Sequence, residues 1–156
     1  MKTSGNNHPS IIKLEDYLSS LPQGIISGED VQLPDHSLRR IFEFADLGKN
    51  DVFYHLGCGN GKGVAIASEE FGVKKAVGID LDSKKIEEAK KILQEKGLSN
   101  TTALNENILD SQMDDASVVL FWFTDSEIIQ SMMKKFEKLQ NGCKIITIWG
   151  PLPDCL

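Results

Sequence analysis

Three glycines at alternate positions, Gly57, Gly59 and Gly61, follow directly on the apolar run DVFYHL and precede a run of small residues, GVAIA. The apolar run reads as a buried strand and the small-residue run as a helix packed closely on its neighbours. Alternate glycines between them let the backbone turn sharply and approach a ligand with no Cβ atoms in the way. The alternation then continues along the chain. KKAVGID (74–80) reads as a second strand. Residues 83–97 read as a helix capped by Asp82 or Ser83, buried along Ile86, Ala89, Ile92 and Leu93 and ended by Gly97. TTALN (101–105) is a third strand, SVVLFWF (117–123) a fourth, residues 126–142 a helix and CKIITIW (143–149) a fifth strand. Ahead of them all, residues 35–48 read as a helix with Asp35 as its N-cap, Leu38, Ile41, Phe42 and Ala45 on one face, and Gly48 as its stop.

Strands and helices alternating at this length require a parallel sheet with right-handed crossovers. The segment NENILDSQMDDA between the third and fourth strands is too short and polar for a crossover helix, so a loop with one turn is expected. The fold class is therefore α/β: a doubly wound, mostly parallel, Rossmann-like sheet, with its ligand crevice at the carboxyl ends of the strands where winding reverses. A tail over residues 1–10 and an arm or short helix over 11–34 precede a single domain over 35–156.

The 156 residues suffice for one core, and 40% hydrophobic with 26% charged residues is an ordinary globular balance. No apolar run approaches the roughly 20 residues of a membrane-spanning helix, and no secretion signal opens the chain. The net charge of −6 disfavours nucleic acid as the main partner. Cys58, Cys143 and Cys155 are odd in number and lack metal-ligand spacing, so they read as reduced thiols of a cytoplasmic protein that binds no metal.

Three phosphate or nucleotide loops compete for the glycines. G-x-G-x-x-G fails at Lys62, and G-x-x-x-x-G-K-[ST] fails at Leu56 and Gly63. G-x-G-x-G, the loop of S-adenosylmethionine-dependent methyltransferases, fits without adjustment. Asp80 ends the second strand where a carboxylate can accept from both ribose hydroxyls, with Leu81 beside it. Asn107 and Ile108, after the third strand, are candidates to read an adenine edge and cover its face.

With LPDHSLRRIFEFADL, DVFYHLGCGNGK, FGVKKAVGIDLD and VVLFWFTD in place, the chain resembles class I methyltransferases from about Leu33 to Trp149, and more narrowly the small archaeal protein-lysine methyltransferases and their eukaryotic relatives. The resemblance implies S-adenosylmethionine held by Gly57, Cys58, Gly59, Gly61 and Asp80, and methylation of protein lysine side chains. It departs at His55, where the family places an acidic residue toward the cofactor's ammonium, and at Asn60, where the family's loop is acidic. Lys62 keeps the family's cation. The family also continues past the fifth strand into an antiparallel hairpin that is missing here. Either the sequence is a fragment, or an open sheet edge is left for a second copy or a partner to cover.

Phe121, Trp122, Phe123 and Trp149 are candidates for an aromatic entrance that favours a neutral lysine, with Phe121 and Phe123 alternatively facing the core. Asp125 and His55 are possible general bases and neither is compelling, so no catalytic residue is named. FWFTD stands where [DN]-P-P-[YFW] marks certain enzymes acting on bases, which again lowers the odds of a nucleic-acid acceptor. The alternative to an enzyme is a non-catalytic binding protein that has kept the fold.

Overall fold

A computed structural model describes residues 10–13, 33–123 and 125–147. In chain order the elements are β1 (Ser10–Lys13), α1 (Asp35–Phe44), β2 (Val52–Leu56), α2 (Lys62–Glu69), β3 (Lys75–Asp80), α3 (Ser83–Glu95), β4 (Thr101–Asn105), β5 (Val118–Phe121), α4 (Ser126–Phe136) and β6 (Lys144–Thr147). Among the described residues, six strands form one sheet in the order β1-β6-β5-β2-β3-β4. Every pairing is parallel. The chain winds outward from β2 through β3 to β4, then returns to the other side of β2 with β5. That reversal between β2 and β5 is the switch point expected of a doubly wound sheet.

Successive strand residues point to opposite faces, and two cores result. Phe53, Ala76, Val118, Leu120 and Ile146 pack beneath α1, α2 and α3. Tyr54, Leu56, Val77, Ile79, Val119, Phe121 and Ile145 pack beneath α4 and the 106–116 loop. Each layer has an aromatic anchor. The fully buried Phe42 of α1 meets Phe53 edge-on at 5.1 Å and Phe71 at 5.5 Å, and Phe136 of α4 meets Phe121 at 5.3 Å. Such pairs contribute about 0.5–1.5 kcal/mol each beyond the area they bury. The bidentate Arg39–Glu70 pair across α1 and α2 is exposed and adds little.

Several boundaries move from their expected places. Pro34, not Asp35, occupies the N-cap of α1, and Asp35 is the acidic residue of its first turn. The helix stops at Phe44, ahead of Gly48, because Asp46 takes a left-handed φ of 57°. Asp82 does cap α3, accepting from the N–H groups of Lys84 and Lys85. The segment between β4 and β5 is a loop, as its polarity required.

The larger difference lies at the sheet edge. Ser10–Lys13, read from sequence as the end of a tail and the start of an arm or short helix, is a strand paired in parallel with Lys144–Thr147. The chain itself occupies the β6 edge, and the position expected for a second copy passes one strand outward to β1. Residues 14–32 of the arm and Trp149 lie outside the described residues. No helix among the described residues is long and apolar enough to cross a membrane.

Gly78, mid-way along β3, has no room for a side chain: a Cβ there would stand 2.7 Å from Cys58 Sγ and 2.8 Å from Val64 Cγ2. Gly78→Ala is expected to lose about 1–3 kcal/mol in urea unfolding. Gly48→Ala, with nothing within 4 Å of its Cβ position, should stay within about 0.5 kcal/mol of the parent.

Candidate functional site

The glycine loop leaves β2 at the switch point with left-handed φ values of 81° at Gly57, 56° at Gly59 and 86° at Gly61. Gly61 is also the N-cap of α2, and a Cβ on it would lie 3.0 Å from Ala89 Cβ of α3. Conformation and space therefore both demand glycine there. The loop is tied to β3 by three bonds: Gly57 N–H and Cys58 N–H donate to Ile79 O at 2.7 and 3.1 Å, and Gly59 N–H donates to Asp80 Oδ2 at 2.8 Å. Asp80 Oδ1 accepts from Asp82 N–H at 2.8 Å. The carboxylate thus faces the loop across the ends of two neighbouring strands, and each oxygen keeps acceptor capacity beyond its one backbone bond.

Cys58 points away from this cradle, into the interior against Gly78. Burial pushes its thiol up to about 12, with the nearby Asp80 charge adding to the shift, so it is neutral and unreactive. Its place in the loop is structural apart from its backbone. His55 shares the face of Phe53, two residues earlier on β2. Its ring packs against the start of α2, where a Cβ on Gly63 would come within 2.7 Å of Nδ1. The fourth glycine of the loop region makes room for the histidine, a pairing that sequence reading missed. Nδ1 is buried and has no hydrogen-bond partner. Burial lowers its pKa from 6.5 to about 4 against the opposing pull of Asp80, so the imidazole is neutral at physiological pH. Asn60 Oδ1 is likewise buried without a partner.

On the β4 side, Asn105 Nδ2 donates to Asp80 O at 3.0 Å and draws the next loop toward the crevice. Asn107 is exposed, with Oδ1 accepting from Leu109 N–H at 2.9 Å. Ile108 is 6% exposed and packs in the core with Val77, Ile79 and Met113. The turn closed by Asp110 N–H on Asn107 O tucks it inward, so it does not stand free as an apolar cover. Leu81, 70% exposed beside Asp80, does.

The aromatic stretch after β5 divides. Phe121 is core, as its strand position allows. Phe123 is half-buried, stacked on Phe121 at 5.0 Å, and its ring lies 3.5 Å from the Cβ position of Gly57. It therefore walls the glycine loop on the β5 side. Trp122 packs partly against the opposite core beneath α1 and α2. Asp125 caps α4, accepting from Glu127 and Ile128 N–H, which gives it a structural duty.

The sequence profile of a methyltransferase domain matches residues 47–148, a span that runs from the approach to β2 through β6. A protein-lysine N-methyltransferase of Saccharolobus islandicus is 29% identical over 119 residues, covering 75% of this chain and 73% of its own. A ribosomal protein L11 methyltransferase of Clostridium botulinum is 37% identical over 71 residues, 46% of this chain and 22% of that protein. Among solved structures, an RNA methyltransferase from Salinibacter ruber in complex with S-adenosyl-L-homocysteine superposes with a TM-score of 0.70 at 27% identity, covering 75% of this chain and 76% of its own.

Two outcomes follow from this geometry. Asp80→Ala removes the acceptor that faces the loop and is expected to weaken S-adenosylhomocysteine at least about 10-fold by calorimetry; unchanged affinity would move the sugar-binding role elsewhere. For His55, the unfolded chain takes up a proton between about pH 6.5 and 4 that the folded chain refuses. Stability from this group is therefore undiminished above that window and falls as pH drops through it, by at most about 1.4 kcal/mol per pH unit. Urea unfolding of His55→Gln should lack that part of the slope.

Proposed function

This chain belongs to the methyltransferase domain family, and we propose that the group it methylates is the side-chain amine of a protein lysine. It is an S-adenosylmethionine-dependent methyltransferase. The observation that carries the lysine reading is the match to a protein-lysine N-methyltransferase over three quarters of both chains. The net charge of −6 supports it, since a lysine-rich protein surface complements an acidic enzyme where a nucleic-acid backbone does not.

The cradle fits the cofactor on this chain's own features: a loop held open by left-handed glycines, a carboxylate across it, and buried acceptors without partners. When bound, the cofactor supplies a methyl group on a sulfonium, ready for direct displacement. In our reading Gly57, Cys58, Gly59 and Gly61 present backbone to its amino-acid and ribose portions. Asp80 holds the ribose hydroxyls, Leu81 covers the base, and Asn107 offers its amide to the base edge. Neutral His55 accepts from the amino group where a protonated ring would repel it.

Phe123 takes the substrate side. It excludes water at the loop wall, and a lysine amine entering beside it loses solvation, which favours the neutral, nucleophilic form. Alignment of nucleophile, carbon and leaving sulfur then supplies most of the rate. In our reading Trp122, which is partly buried, contributes to the same entrance.

The test is incubation of the protein with methyl-labelled S-adenosylmethionine and, in separate arms, nuclease-treated protein extract and purified RNA. Label recovered as methyl-lysine after acid hydrolysis is the expected result; label confined to RNA would overturn the substrate assignment. Phe123→Ala should reduce labelling about 10-fold or more while S-adenosylhomocysteine affinity stays within about 3-fold.

A further inference from the structure

Residues 106–117 join β4 to β5 without a helix, so their backbone groups must find partners outside regular structure. The crevice end of this segment is a turn closed on itself. The buried Ser111 hydroxyl donates to Glu106 Oε1 at 2.8 Å and lies 3.0 Å from Asn107 O. Asp110 N–H donates to Asn107 O, and Leu109 N–H to Asn107 Oδ1, both at 2.9 Å. These bonds give the turn its shape. Its root is tied to β3 through Glu106 N–H on Asp80 O at 3.2 Å, and Ile108 anchors it in the core.

The outer part of the turn, Leu109 and Asp110, is exposed and is reached from α4. Lys135 Nζ, in the last turn of that helix, donates to Leu109 O at 3.0 Å. Leu109 therefore receives Lys135 on its carbonyl and gives its N–H to the Asn107 side chain. A charged donor makes the stronger kind of hydrogen bond, and Lys135 is partly buried, which reduces screening by solvent. The helix is itself a fixed support: Met132, Met133 and Phe136 are buried in the core that also holds Ile108 and Met113. Its N-cap, Asp125, follows Phe123 by two positions. One helix thus runs from the aromatic wall after β5 to the turn after β4, and Lys135 is its link to the turn.

We propose that Lys135 is a positioning residue of the methyl-donor site, acting through Leu109 to hold Asn107 where its amide meets the base. The assignment rests on the reading of Asn107 at the base edge and adds a residue on another element that needs no contact with the ligand. Without Lys135 the turn keeps its internal bonds and its core anchor but loses its tie to α4. Binding then suffers where stability does not.

Calorimetry with S-adenosylhomocysteine, arranged as a double-mutant cycle, tests this. Lys135→Met should weaken binding about 5-fold with the urea midpoint unchanged, and Lys135→Arg, which keeps a charged donor, should restore most of the loss. Lys134→Met removes the same charge at the exposed neighbouring position and should change affinity less than about 2-fold. Asn107→Ala should weaken binding by itself, and adding Lys135→Met to it should cost less than about 2-fold more, because the group through which Lys135 acts is gone. Additive losses from the two substitutions would overturn the proposal, as would no effect of Lys135→Met or an equal effect of Lys134→Met. Unchanged affinity in Asn107→Ala would overturn the base-edge reading, and no binding by the parent would overturn the methyl-donor reading; either takes this inference with it.

Discussion

The bond from Gly59 N–H to Asp80 Oδ2, 2.8 Å long, is the contact on which the working end of the molecule depends. It crosses from the loop after β2 to the end of β3, and it is charge-assisted, so it is stronger than an ordinary amide bond. Without it the loop would be held to β3 only through the paired bonds to Ile79 O. With it, the backbone turn, the start of α2 and the carboxylate move as one body. A site that must hold a flexible ligand gains from that rigidity, because ordering is completed during folding and not charged against binding.

The two cores play unequal parts around this point. The face under α1, α2 and α3 carries His55, Ser37 and the small-residue contacts at Gly61 and Ala89, so helices approach the loop closely there. The other face carries Phe121, Phe123 and α4, and presents aromatic surface at the end of β5. A polar floor and an aromatic wall therefore meet over the switch point. That division follows from strand alternation alone: odd residues of β2 supply Phe53 and His55 to one face, even residues supply Tyr54 and Leu56 to the other.

Much of this was legible in sequence because it is written in local patterns. The glycine spacing, the apolar runs and the Asp80 position each act over a few residues, and they located the sheet, its switch point and the carboxylate that faces it. What was not legible depends on contacts between distant segments. Gly63 registered in the sequence only as a position where a phosphate-loop motif fails, and its neighbour is the His55 ring. Ile108 had the composition of a crevice residue, but a turn rotates it into the core. Ser37 falls four residues before Ile41 on the buried stripe of α1, so helical periodicity held the signal, yet a serine does not register in an apolar count. The N-terminal strand had no alternation to mark it, because its pairing is chosen by a partner at the far end of the chain.

That last pairing carries a consequence for how the molecule is made. Ser10–Lys13 pairs with Lys144–Thr147, so the first of the described strands must wait for the last of them to be synthesised. Contacts of such wide sequence separation are late and slow to form. Until they do, β6 emerges with one flank bare, and a nascent or refolding chain presents there the row of unsatisfied backbone groups to which another strand can add.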